Sequence, residues 1–257
     1  MLPVAVGFPS PVSTSASLRV EGQPAFVLHA RAWRETSAIV ELLSRDYGRI
    51  AVVARGLTGP KKHPLRAALQ PFQLLRVDYL PRGELARLLQ AEAMDAAPPL
   101  QGEALMAVFY INELMLRLAP RQDPVQSLFD LYARVRTELG SGAPLGWTLR
   151  RFERDVLDAM GYGLQWDHID DGERVDAASS YRLDSELGPV REVRRGADSV
   201  SGAALRALAD DVMPTPELQQ ELRLALRGLL TGHLGSTPLR SWGMLGELAR
   251  VGRRTQD

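Results

Sequence analysis

The stretch "SAIVELLSRDYGRIAVVAR", Ser37 to Arg55, consists of two β-branched apolar runs separated by "RDYG". A glycine-ended turn between such runs reads as a β-hairpin. Upstream, "AFVLHARA" supplies another strand. Downstream, "FQLLRVDYL", the turn "PRG" and "LARLLQAEA" supply two more. Five strands between Pro24 and Ala93, turned at regular spacing, predict a small closed barrel or sandwich. The OB-fold, a five-stranded barrel that binds single strands, is the natural candidate.

Between the third and fourth strands the chain reads "VVARGLTGPKKHPLRAALQPF", Val52 to Phe72, a Gly/Pro-punctuated run without an acidic residue. From Arg45 to Arg76 there are seven basic residues and one acidic residue, Asp46. The whole chain is neutral, with 31 basic and 31 acidic residues, yet residues 1–91 hold twelve basic against six acidic. Such a split suggests an anion-binding front end on a different kind of body. Solvated surface charge is the plainer reading.

After Pro98-Pro99 the period becomes helical. In "GEALMAVFYINELMLRLAP", Leu105, Val108, Ile111, Met115 and Leu118 keep a three-to-four spacing, and Met106, Phe109, Leu114 and Leu116 fill the other faces. This helix is expected to be mostly buried. A second helix is expected with Asp123 as N-cap, Pro124 at its first position and Gly140 just past its end. A third, "LGWTLRRFERDVLDAMG", stops at Gly161. Residues 164–200 are polar and turn-rich, with weak strand signals such as "SYRLD". Final helices follow, the clearest from Thr215-Pro216. The expected class is α+β. A disordered leader over 1–22 precedes an OB-fold barrel over 23–97 and a helical domain over 98–163. A small turn- and strand-rich insert over 164–200 and C-terminal helices over 201–257 complete that plan.

Composition excludes several classes. The 257 residues include no cysteine, which removes disulfides and thiolate metal sites. No apolar run reaches the roughly 18 residues that span a bilayer, and "MLPVAVGFPSPVSTSASLRV" lacks the early positive charge of a signal peptide. Cytoplasmic, nucleoid-associated residence is expected. "GLTGPKK" has the wrong spacing for a phosphate loop, and no GxSxG or HExxH motif occurs. The histidines His29, His63, His168 and His233 are scattered, and "DHIDDGERVD" matches no calcium loop. No catalytic residues, cofactor or metal are therefore expected. Nucleic-acid binding has positive support, because phosphate neutralisation needs only a cationic face. Trp33, Tyr47 and Phe72 could stack on bases; as core residues they would serve the fold alone.

In order along the chain, "AFVLHARAWRETSAIVELLSRDYGRIAVVARG", "LRAALQPF", "GELARLLQAEAM", "YINELMLRL" and "LRRFERDVLDAMGYG" resemble the RecO recombination mediators of bacteria. The match is dense over residues 24–165 and thinner at "TPLRSWGML". The resemblance implies an N-terminal OB-fold, binding of single- and double-stranded DNA, annealing of complementary strands, and work with RecR to load RecA. It also implies recognition of the acidic tail of single-stranded DNA-binding protein. Many members carry a four-cysteine zinc site in the stretch matching 164–200, which this chain lacks. By position, Arg34, Arg49, Arg55, Lys61, Lys62 and Arg66 are the expected DNA contacts. Arg150, and after it Arg151, are the expected partners of the tail carboxylate; ordinary pairing of these arginines with Glu153 or Asp155 is the alternative. A helical adaptor whose barrel contacts protein is the competing function, and a metal-dependent nuclease has the least support.

Overall fold

The computed structural model describes residues 19–57 and 64–243. Its first half is a barrel of β1 (Val20–Trp33), β2 (Ser37–Ser44), β3 (Gly48–Ala54), β4 (Leu74–Leu80) and β5 (Leu85–Ala93), closed in the order β1-β2-β3-β5-β4. The expected strands are all present, and β1 begins at Val20, inside the span expected to be leader. Strand alternation builds the interior: Ala38, Val40 and Leu42 of β2 face inward with Ile50, Val52 and Ala54 of β3. Closure comes from the parallel pairing of β3 with β5, Ala51 opposite Leu85 and Val53 opposite Arg87. The helix α1 (Pro64–Ala68) was not anticipated. Leu57 and Leu69 on either side of it are buried in the barrel core, and Leu65 and Ala68 pack against that core.

The other faces of β1 and β2 carry Phe26, Leu28 and Leu43 into a second core shared with the helices. These are α2 (Gly102–Leu118), α3 (Gln126–Gly140), α4 (Leu145–Ala159), α5 (Gly202–Ala209) and α6 (Pro216–Leu234). Tyr132 of α3 is the centre of the seam. Its ring lies 4.9 Å from Phe26 and 5.1 Å from Phe72, and its hydroxyl donates to Asn112 of α2. Phe72 has a φ of 67°, costly for a bulky side chain, and is held there from three sides. Its N–H donates to Val27, its carbonyl accepts from Arg136 Nε at 2.6 Å, and its ring is buried against Tyr132.

A second seam runs beside β3. Arg49 N–H donates to Pro120, and Gln122 N–H donates to the Arg49 carbonyl at 3.0 Å. The segment after α2 thus lies along the barrel like a short extra strand, bridging Arg49 to Arg121. This commits Asp123, so α3 starts at Gln126 with Val125 as its N-cap, later than the sequence suggests. Gly140 is the last helical residue, and the left-handed position falls on Gly142. Two other helix ends match expectation: Gly161 takes a φ of 78° after α4, and Thr215-Pro216 opens α6. In α2, expected to be mostly buried, Val108, Tyr110, Ile111, Leu114 and Met115 are buried, whereas Leu105 and Phe109 are 38 % and 41 % exposed.

Residues 164–200 form β6 (Ser180–Asp184), β7 (Gly188–Glu192) and, at their end, β8 (Val200–Ser201), in the order β7-β6-β8. Trp166, Val175, Tyr181 and Val200 are buried and continuous with the helical core. Trp166 Nε1 donates to Asp158 and the Tyr181 hydroxyl accepts from the Asp176 N–H at 2.8 Å. Among the described residues no three metal-ligating side chains gather, and no helix is long and apolar enough to cross a membrane.

Gly48 carries both constraints of the second seam: a φ of 65° and a backbone so close to Asp123 that a Cβ would overlap its carbonyl. A left-handed conformation alone costs about 1–2 kcal/mol for a residue with a side chain. Gly48→Ala is expected to lower the thermal midpoint by about 4–8 °C, read by circular dichroism; an unchanged midpoint would mean the seam adds no stability.

Candidate nucleic-acid interface

The outward face of the barrel is divided by the body. At one end Phe26, Leu28 and Leu43 are covered by helices. At the other, pleat alternation puts Arg31, Ile39, Val53 and Arg87 in one row across β1, β2, β3 and β5. The two arginines at the ends of this row are exposed. The next row toward the β1–β2 turn begins with Trp33 opposite Ser37. Trp33 is 37 % exposed, with the Arg31 and Arg34 guanidinium carbons 5.8 Å and 6.0 Å from its ring. Arg34 sits in the turn with a φ of 56°. Arg55 leaves the end of β3 beside this turn, where Leu57 N–H donates to Thr36 at 2.8 Å.

Ion pairing separates these arginines from others. Arg31, Arg34, Arg55, Arg66, Arg76, Arg82 and Arg87 are exposed and make no ion pair with a described residue. In the body, Arg134, Arg136, Arg151, Arg154 and Arg195 each face a carboxylate. A cation without an internal partner keeps its hydration and its field, and can exchange them for a phosphate. Arg66 projects from α1, whose Leu65 and Ala68 rest on the barrel core.

The sequence-expected residues divide accordingly. Arg34, Arg55 and Arg66 are exposed and make no ion pair with a described residue, whereas Lys61 and Lys62 lie outside the described residues. Arg49 is corrected to a seam residue. Its side chain is 12 % exposed, Nε donates to Ala119 at 3.0 Å and Nη1 pairs with Glu41 at 3.2 Å. Burial first, then the like charge of Arg121, pushes its guanidinium pKa down, with Glu41 opposing. Its place in the strand that matches the family made Arg49 look like a ligand contact; the docked α2–α3 segment gives its side chain partners instead. Phe72, offered as a stacking residue, is buried. Arg31 and Arg87 were missed, although their place on the polar alternation of two amphipathic strands was the available signal.

Arg150 and Arg151 also need correction. The Arg150 side chain is 7 % exposed and its carboxylate partner is Glu153 of its own helix, at 2.5 Å. Glu153 also accepts from the Tyr110 hydroxyl at 2.6 Å. Burial raises the Glu153 pKa, against the pull of Arg150 and Tyr110. Arg151 pairs with Glu138 and Asp211. Above Arg150, α6 presents exposed Arg223 and Arg227, and the Arg227 guanidinium lies 4.6 Å from the Trp242 ring. Burial, then Arg150 and Arg227, lower the Arg223 pKa. Cations crowd here around one carboxylate.

A closed five-stranded barrel docked on a helical body defines an OB-fold protein with a helical second half. Residues 19–97 match the family described as Recombination protein O N terminal, and residues 99–243 match Recombination protein O C terminal. The DNA repair protein RecO of Xanthomonas campestris pv. campestris (strain B100) is 53 % identical over 240 residues, covering 91 % of this chain and 99 % of its own. That of Xanthomonas euvesicatoria pv. vesicatoria (strain 85-10) is 52 % identical, covering 90 % and 98 %. That of Stenotrophomonas maltophilia (strain R551-3) is 50 % identical over the same shares, 90 % and 98 %. The chain belongs to the RecO family of DNA repair proteins, which is not a family of known enzymes, and it lacks the cysteines of a zinc site.

Removing Arg49 should separate seam from surface. Arg49→Ala is expected to cost about 1–3 kcal/mol of stability in urea unfolding, the scale of losing a charge-assisted hydrogen bond. Affinity for oligonucleotide, measured well below the transition, should stay within about twofold of the unsubstituted protein, since roughly 0.4 kcal/mol is the most a residue off the interface should shift it. A selective loss of affinity would return Arg49 to the DNA contacts.

Proposed function

We propose that this protein is a non-enzymatic recombination mediator whose barrel face binds single- and double-stranded DNA. The observation that carries this reading is the set of exposed arginines around Trp33, on the open half of the barrel face, that make no ion pair with a described residue. Arg34, Arg55 and Arg66, together with Lys61 and Lys62, are its phosphate contacts. Phosphate contacts position a strand without reading its sequence. Annealing then needs no bond chemistry: cations reduce the repulsion between two strands, and base pairing supplies the drive. In this role the protein acts in the cytoplasm with RecR, and helps RecA replace single-stranded DNA-binding protein on gaps.

The charge-reversed variant Arg55→Glu with Arg66→Glu should bind both DNA forms more weakly. The slope of log affinity against log salt should shallow by about 0.7–0.9 for each phosphate that is no longer neutralised. Fluorescence anisotropy at several salt concentrations measures both quantities. A folded double variant with wild-type affinity and slope would remove this face from the function and favour the adaptor reading.

For the acidic tail of single-stranded DNA-binding protein we place the site over Arg223, Arg227 and Trp242, with buried Arg150 adding to the potential from beneath. A carboxylate there would offset the like charges of Arg150 and Arg227, which together with the larger effect of burial lower the Arg223 pKa, and Trp242 offers an apolar contact. Arg223→Ala is expected to weaken a tail peptide by about 1–3 kcal/mol while naked-DNA affinity stays constant. Arg150→Ala is a poor probe, because it would strand Glu153 in the core and unfold the body by roughly 3–5 kcal/mol. Calorimetric titration giving equal peptide affinity for Arg223→Ala would move the tail site elsewhere.

A further inference from the structure

At the barrel end away from Trp33, a cavity of about 200 Å³ opens among the β2–β3 turn, the β4–β5 loop and the segment after α2. Tyr47, Tyr79, Pro81, Gly83, Ala86 and Gln122 line it. No charged side chain is among its lining residues, so it suits a neutral group. Its walls are apolar and aromatic, and its polar edge is supplied by amide and hydroxyl groups. The rings of Tyr47 and Tyr79 meet edge to face at 6.0 Å and 84°, which leaves at least one face of Tyr47 unused by that contact. Tyr47 is 42 % exposed, and neither tyrosine hydroxyl has a hydrogen bond within the described residues. Burial, and then the proximity of Tyr47, raise the Tyr79 pKa, so that hydroxyl stays a neutral donor. The Gln122 amide is fixed by donation to the Gly83 carbonyl at 2.9 Å, and Gln122 holds a φ of 53°.

We infer that this cavity takes one unstacked nucleobase of a single strand. The inference rests on the barrel face being the DNA interface and deepens it by adding a subsite that reads strandedness. A planar, uncharged heteroaromatic ring with donors and acceptors on its edge fits a pocket of tyrosine rings, tyrosine hydroxyls and one carboxamide. The track toward Trp33 passes Ala51 and Val53 of β3, with exposed Arg87 beside Val53, so phosphates have a cation between the two aromatic ends. Arg82, exposed and without an ion pair to a described residue, stands at the loop rim. In a duplex the bases are stacked and paired, so the pocket would be reached only by a single strand.

The test compares Tyr47→Ala and Tyr47→Phe with the unsubstituted chain on three probes: a thymidine oligonucleotide, an abasic oligonucleotide of the same length, and a duplex. Removing an aromatic side chain on which a base stacks weakens binding by about tenfold. Tyr47→Ala should therefore lose about tenfold on the thymidine strand, with the abasic strand and duplex unchanged, and Tyr47→Phe should keep most of the affinity. Thermal melting of each variant establishes that it is folded, since Tyr47 lies in an exposed turn. Equal affinity of Tyr47→Ala and unsubstituted protein for the thymidine strand would overturn the pocket and leave the arginine face standing. An equal loss on all three probes would also overturn it, assigning Tyr47 to general support of the surface. No binding of any probe by the unsubstituted protein would overturn the interface and the pocket together.

Discussion

Tyr132 joins the two halves of this molecule. A buried tyrosine is tolerated only when its hydroxyl finds a partner, and here Asn112 of the neighbouring helix supplies it. With the hydroxyl satisfied, the ring can serve as the surface on which Phe26 and Phe72 of the barrel pack. Phe72 in turn accepts an unfavourable backbone conformation because Arg136, Val27 and Tyr132 hold it from different sides. The barrel and helices therefore share one core across β1 and β2, and the barrel face is oriented by that shared core as well as by a linker.

The orientation decides what the charges can do. The arginine of β3 that turns toward the body, Arg49, is consumed by Glu41 and the Ala119 carbonyl. Arginines on the same pleat toward the β1–β2 turn make no ion pair with a described residue and keep their fields. A chain with zero net charge thus presents a cationic surface without an overall positive charge, because carboxylates pair with Arg49 of the seam and with Arg134, Arg136, Arg151, Arg154 and Arg195 of the body.

The segment between α4 and α5 illustrates another substitution of one physical device for another. A cluster of thiolates around a metal can close a small sheet with few buried side chains. With no cysteine in the chain, the three strands lean on the helical core instead, through Trp166, Val175, Tyr181 and Val200. The aspartates there hold the turns: Asp176 accepts from the Ala178 N–H and the Ser179 hydroxyl, and Asp184 from the N–H groups of Glu186 and Leu187. That use of carboxylates explains why a polar, turn-rich stretch is ordered.

Local pattern alone determined the barrel strands, the change to helix after Pro98-Pro99, the strand Ser180–Asp184 and the helix ends at Gly161 and Thr215-Pro216. Alternation of period two and the backbone preferences of glycine and proline act over a few residues and need no partner. The ordered blocks between Ala25 and Gly163 were enough to indicate the family and to mark Arg34 by position, and the exposed cations Arg55 and Arg66 were legible as part of a basic run. Tertiary structure alone decided the fate of Arg49, Phe72, Arg150 and Arg151, because a side chain's neighbour from a distant segment sets whether it is paired, buried or free. It also decided the late start of α3, which follows from the contact between Gly48 and Asp123, and the cavity beside Tyr47, assembled from three segments far apart in the chain. Charge and hydropathy are properties of a residue, but availability to a ligand is a property of its surroundings.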